Sequence, residues 1–206
     1  MGAAARVMPM TPDEFLAWEA EQTERHDFVG GEVHAMAGAE DRHVTVSLNV
    51  AMALRHHLAG TPCRTFMADM KVETASRSAY FYPDVVVTCS PADRASPIIK
   101  REPKLIVEVL SPGTAAYDRG EKAVHYRHIQ TLEELAFIDI DARRADVYRK
   151  GRDGLWVLHP FEPGEGVVLM SVSLSIPPAA LFAEVEDPAA VPSTPVEAPF
   201  RATPAG

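Results

Sequence analysis

The chain has 206 residues, 47% of them apolar and 24% charged, a balance that fits one globular domain and excludes a wholly disordered chain, a collagen-like chain or a disulfide scaffold. The net charge of −9 argues against strong nonspecific attraction to DNA or to anionic membranes. Charge is unevenly spread: residues 100–152 hold 11 Lys/Arg against 9 Asp/Glu, a net of +2, and the remainder carries −11, so a polyanion could still meet one less hostile face.

In chain order, Thr11-Pro12-Asp13-Glu14 reads as a helix start, with Thr11 as N-cap, Pro12 in the first turn and Glu14 closing a capping box. Asp27 to Met36 reads as a hairpin whose Gly30-Gly31 pair allows positive φ at the turn. Asp41 to Leu58 reads as a long helix with Val44, Leu48, Ala51, Met52 and Leu58 near helical spacing. Strands are expected at Thr65–Thr74, Asp84–Thr88 and Lys104–Leu110, the last stopped by Pro112 and Gly113. A helix follows over Tyr117–Gln130. Further strands are expected at Leu135–Asp139, Arg144–Lys150, Leu155–His159 and Gly166–Leu169, and a short helix at Pro177–Phe182. The strands from Arg144 to Leu169 are candidates for extra sheet or dimer contacts. This order predicts a mixed α/β sheet with a helix on either face.

From Asp187 onward prolines recur among Ala, Thr, Val and Ser, so residues 187–206 are expected to be a disordered tail. Residues 1–9 are expected to be flexible and 10–186 to form the domain. No window supplies the ~18 uncharged apolar residues of a membrane span, and the N-terminus lacks a hydrophobic signal core. A cytoplasmic protein without membrane association is the expectation. Cys63 and Cys89, which form no CxxC pair, are then expected to be two buried thiols.

Glu108 is the most informative residue. It interrupts the run Leu105-Ile106-Val107-Glu108-Val109-Leu110, a pattern typical of a strand buried on both faces. An ionised carboxylate there needs a metal ion, a Lys or Arg, or a raised pKa; alternatively, period-two alternation turns Glu108 to solvent. Asp84 follows Tyr82-Pro83 and opens Val85-Val86-Val87. It is either an acid at a strand start or, if the two strands are neighbours, a second carboxylate for one hard cation. Asp118, Lys122 and Tyr126 stand at i, i+4 and i+8 and share a helix face. Lys122 could deliver a positive charge to the carboxylates, or form a surface pair with Asp118. His43 could be a base, a ligand or a supporting group, and Glu32 after Gly31 is equally open. No GxxxxGK[ST] loop, GxSxG elbow or HExxH motif is present, so nucleotide-fuelled, serine-hydrolase and zinc-protease chemistry lack support.

Taken together, Met10-Thr11-Pro12-Asp13-Glu14-Phe15-Leu16, Gly31-Glu32, His43, Tyr82-Pro83-Asp84-Val85-Val86-Val87, Val107-Glu108-Val109-Leu110-Ser111-Pro112 and Tyr117-Asp118-Arg119-Gly120-Glu121-Lys122 with Tyr126 resemble the Uma-type family of putative restriction endonucleases, in the PD-(D/E)XK nuclease superfamily. The similarity runs from Met10 to about Glu184. It implies a restriction endonuclease-like fold with core order α-β-β-β-α-β, preceded here by an N-terminal helix and hairpin. It also implies that Asp84 and Glu108 bind Mg²⁺ or Mn²⁺, which activates water for attack on a phosphodiester. The superfamily's lysine, two residues after the Glu, is replaced here by Leu110. The basic role then passes to Lys122, with His43 or Glu32 completing the site. The implied function is a metal-dependent endonuclease acting on nucleic acid, DNA in the first place, possible as a homodimer. Two alternatives stand beside it: an inactive nuclease-fold interaction module, and a hydrolase of a smaller phosphoester, which would show a smaller, closed pocket.

Overall fold

A computed structural model of the chain describes residues 9–36 and 38–186. The expected disordered tail 187–206 and, apart from Pro9, the expected flexible segment 1–9 lie outside the described residues.

The chain begins with α1 (Pro12–Glu19), capped as its sequence requires: Glu14 N–H donates to the Thr11 hydroxyl and Thr11 N–H donates to the Glu14 carboxylate. Strands β1 (His26–Val29) and β2 (Glu32–Ala35) form the hairpin, with both turn glycines at positive φ. Helix α2 (Asp41–His57) follows. Next come β3 (Arg64–Met67), β4 (Lys71–Glu73), β5 (Ala79–Phe81) and β6 (Val85–Thr88). The single strand expected over Thr65–Thr74 is therefore two. Ala68 takes a positive φ between them, and β3 and β4 join different sheets.

After α3 (Pro91–Ala95) and β7 (Ile99–Lys100) runs β8 (Pro103–Leu110), the strand that carries Glu108. A helical segment comprises α4 (Ala115–Tyr117), a π turn at Asp118–Lys122 and α5 (Ala123–Tyr126). It ends four residues short of the expected Gln130. The remaining elements are β9 (Glu134–Asp139), β10 (Arg144–Lys150), β11 (Trp156–Phe161), β12 (Val167–Leu169), β13 (Leu174–Ile176) and α6 (Pro178–Leu181).

Six strands form the main sheet in the order β11-β10-β9-β8-β6-β3. Strands β8 and β9 are parallel, joined by the helical crossover that parallel neighbours require, and the other pairs are antiparallel. Along it lies the core order α-β-β-β-α-β, as α2, β3, β6, β8, the helical segment and β9. Strands β10 and β11 extend this sheet, whereas β12 and β13 pair separately. A second sheet, β2-β1-β5-β4-β7, brings the hairpin over one face.

Alternation along the central strands separates two cores. Val85, Val87, Val107 and Val109 pack with Val46, Val50 and Leu54 of α2. Val86, Ile106 and Leu110 pack with Ala123 and Tyr126 of α5. Phe15, Phe28 and Tyr80 form a third cluster beneath α1. Of the five apolar residues near helical spacing along and just after α2, Ala51 and Leu58 are buried while Val44, Leu48 and Met52 are exposed. The helix carries two apolar stripes, and the one continued by Val46, Val50, Leu54 and Leu58 meets the sheet.

The cysteines correct another expectation. Cys63 and Cys89 form a disulfide, and both are half-buried rather than buried thiols. Arg64 pairs with Thr88 across β3 and β6, so the register sets Cys63 opposite Cys89 just beyond the strand ends. Among the described residues no helix is long and apolar enough to cross a membrane.

Candidate active site

Asp84 immediately precedes β6, and Glu108 lies in β8. The antiparallel register pairs Val85 with Val107, so one step further Asp84 stands opposite Glu108. The two acids are tied through the backbone: Val109 N–H donates to Asp84 Oδ2 at 2.7 Å, and Asp84 N–H donates to Glu108 Oε2 at 3.3 Å. Glu108 is 2% exposed, in a strand covered on both faces.

The helical segment reaches the same point from outside the sheet. Asp118, Lys122 and Tyr126 are all buried, on the face that their spacing predicts. A π turn spans the first two, a distortion common at functional sites. Lys122 Nζ lies 3.1 Å from Asp118 Oδ1, 3.4 Å from Glu108 Oε1 and 3.8 Å from Asp27 Oδ2. The Tyr126 hydroxyl donates to Glu108 Oε1 at 2.8 Å. Leu110, where the superfamily pattern has lysine, is buried in the apolar core against α5. The positive charge beside Glu108 is that of Lys122, on the helical segment.

His43, in the first turn of α2, places Nε2 3.2 Å from Asp84 Oδ2. Glu32 does not join the group. It sits next to the turn on edge strand β2, its side chain 80% exposed and 4.0 Å from His34. The hairpin instead contributes Asp27, buried and accepting from Tyr82 N–H. Nothing local in the sequence distinguished Asp27, because its placement depends on β1 pairing with β5. Asp118 and Tyr126 did leave a signal, since they share the face of Lys122.

Four carboxylates, those of Asp27, Asp84, Asp118 and Glu108, thus crowd around Lys122 and His43. Burial above all pushes Glu108 up to about 8. Lys122 and the Tyr126 hydroxyl pull against that, and Asp84 and Asp118 reinforce it. Burial likewise raises Asp27 to about 6, against the pull of Lys122. For Lys122, burial opposes the charge, but Glu108, Asp27 and Asp118 outweigh it and shift the ammonium up. His43 is also desolvated, yet its bond to Asp84 raises its affinity for a proton.

These groups border a cavity of about 730 Å³, whose lining includes His34, His43, Ser47, Asp84, Glu108 and Tyr117. The buried hydroxyls of Ser47 and Tyr117 have no hydrogen-bond partner within the described chain. At the rim, Arg25 pairs with Asp69 and Arg42 with Asp141. Among the described residues no group of three or more His, Cys, Asp or Glu is arranged as a complete metal-binding set. The donors do fit a cation that takes two protein carboxylates and fills its remaining positions with other oxygens, as Mg²⁺ does. The surplus of buried negative charge, which adds to burial in pushing the Glu108 pKa up, favours such a cation.

A mixed sheet lies between helices, with Asp84 and Glu108 opposed on two neighbouring strands, and this architecture matches a nuclease-like fold. A crystal structure of a putative nuclease of the DUF820 group from Anabaena variabilis superposes with a TM-score of 0.71 over 84% of this chain and 98% of that one; at 18% identity this shows a shared fold. Residues 12–179 match the model of Uma2, described as putative restriction endonuclease, and the chain belongs to that family. Two uncharacterized proteins of Synechocystis sp. are similar to it. One is 36% identical over 81% of this chain and 87% of its own length; the other is 32% identical over 77% and 90%.

Proposed function

We propose that the protein is a metal-dependent nuclease that hydrolyses phosphodiester bonds, with DNA as the first substrate to test. The observation that carries this reading is the convergence of Asp84, Glu108 and Lys122 on one buried point beside a cavity. Asp84 and Glu108 would hold Mg²⁺ or Mn²⁺, the class of cofactor that restriction endonuclease-like families generally use. The cation would supply an activated water and neutralise charge on phosphorus. Lys122 keeps a fixed positive charge beside Glu108, where it offsets the carboxylates and can stabilise charge developing on the phosphate oxygens. Tyr126 holds Glu108 in one orientation. His43 holds Asp84 and, when neutral, can accept a proton. No role is assigned to Glu32. The folded unit of this reading is residues 10–186, and the cytoplasm, where nucleic acid is accessible, is the proposed location.

A second reading, hydrolysis of a smaller phosphoester, is favoured by one observation: the rim arginines of the cavity are already paired with carboxylates, so little free positive charge is left to follow a long backbone. A substrate panel in Mn²⁺ separates the two. Supercoiled plasmid, single-stranded DNA, RNA and a chromogenic phosphodiester would each be incubated with wild type, Asp84→Ala and a chelator control. Cleavage of a polynucleotide, lost in both controls, supports the nuclease. Turnover of the small diester alone favours the second reading. A folded wild type inert toward the whole panel contradicts both and points to an interaction module.

A further inference from the structure

Helix α2 has a second apolar stripe that the described residues leave uncovered. Val44, Leu48 and Met52 stand at i, i+4 and i+8 and are 48%, 44% and 61% exposed. Their side chains fall within about 40° of one direction on the helix. The opposite stripe, Val46, Val50 and Leu54, is fully buried against the sheet. Substituting polar residues for the outer three would cost the fold little, so its own core does not require them to be apolar.

The charges along this stripe are arranged symmetrically about its centre. Asp41 lies seven residues before Leu48 and Arg55 seven residues after it. Two helical turns return nearly to the same direction, so both fall on the stripe. Both are exposed, and neither forms a salt bridge among the described residues. The macrodipole accounts for an acid at the start of the helix and a base at its end. It does not account for their equal spacing about a run of exposed apolar residues.

We propose that this stripe is the contact surface of a two-fold homodimer, in which α2 packs antiparallel against α2 of a second copy with Leu48 on the axis. A two-fold interface must be self-complementary, and this stripe is. Reversing α2 about Leu48 sets Val44 against the partner's Met52 and Asp41 against the partner's Arg55, twice over. The next positions out, Glu40 and His56, also exposed, become neighbours across the same contact. Antiparallel packing aligns the two helix dipoles favourably as well. Val44 also lines the cavity, so each cavity would open beside the contact. The surface does not depend on the chemistry proposed for that cavity.

The test is the mass in solution, by sedimentation or light scattering, of the full chain across micromolar concentrations. Wild type is expected at twice the mass of one chain. Leu48→Glu places two like charges on the axis and is expected to run as a monomer, with its thermal melt showing that the fold persists. Asp41→Arg and Arg55→Asp, made singly, set like charges together and are expected to weaken the dimer by about tenfold; the double reversal restores the pairing in the opposite sense and is expected to recover it. A monomeric wild type overturns the proposal, as does a dimer that Leu48→Glu leaves intact. A double reversal as weak as the two single changes overturns the antiparallel register.

Discussion

Lys122 is placed to serve both the fold and the proposed chemistry. It is the buried cation among Glu108, Asp27 and Asp118. Lys122→Met keeps the stem and deletes the charge. Under the proposed function, loss of this charge is expected to lower turnover by about 100-fold or more. The same change leaves carboxylates buried without a partner, which costs about 3–5 kcal/mol. That cost is expected to be larger at pH 8 than at pH 6, because the acids take up protons at the lower pH; urea unfolding at the two values checks it. Asp27 gives a cleaner sign. Its folded pKa of about 6 lies above the ordinary 3.8, so its contribution to stability is fully present below that ordinary value and is lost as pH rises through 6. Asp27→Asn cannot ionise and keeps an oxygen for the Tyr82 N–H. Its stability relative to wild type is expected to grow by about 1–2 kcal/mol from pH 5 to pH 8; no change across that range would show that Asp27 is not held protonated. The sequence made Asp84 and Glu108 legible because each interrupts or opens a run of β-branched or aliphatic residues. Asp27 was hidden because its strand looks like any half-buried hairpin until β5 is laid beside it.

Among the elements, those whose signals are local were the legible ones. The capping box of α1, the Gly30-Gly31 hairpin and the apolar run of β8 are each decided by residues in contact along the chain. The breaks were not. Ala68 carries no mark of the positive φ that divides β3 from β4, and β5, β7 and β13 are only two or three residues long. Which apolar stripe of α2 faces the sheet also depends on the whole fold, because the helix has two. The Cys63–Cys89 disulfide belongs with these, since it follows from the register of β3 with β6. It closes a separation of 26 residues, and breaking such a loop is expected to cost about 3 kcal/mol. Thermal melts with and without reductant, and of the Cys63→Ser, Cys89→Ser double variant, are expected to show the loss. In a strongly reducing cytoplasm the pair is expected as thiols, which alkylation of the freshly extracted protein would reveal. Equal melts in both states would mean that the crosslink adds no stability.

The whole molecule joins two sheets and the helical segment at one point, and that junction makes the site. The main sheet contributes Asp84 and Glu108, the crossover between its parallel strands contributes Lys122, the second sheet contributes Asp27, and α2 brings His43. Order along the chain was enough to anticipate the main sheet and its flanking helices. The covering second sheet was not visible, and with it went the depth of burial that raises Glu108. The acidic net charge of −9 is partly concentrated in this pocket, where a divalent cation would balance it. Calorimetric titration of Mn²⁺ into wild type and Asp84→Asn at neutral pH tests this most directly. The expected result is one site in wild type, with a proton released to the buffer as Glu108 ionises, and a loss of that site in the variant. Equal binding by the two proteins, or none by a folded wild type, would contradict a cation site at Asp84 and Glu108.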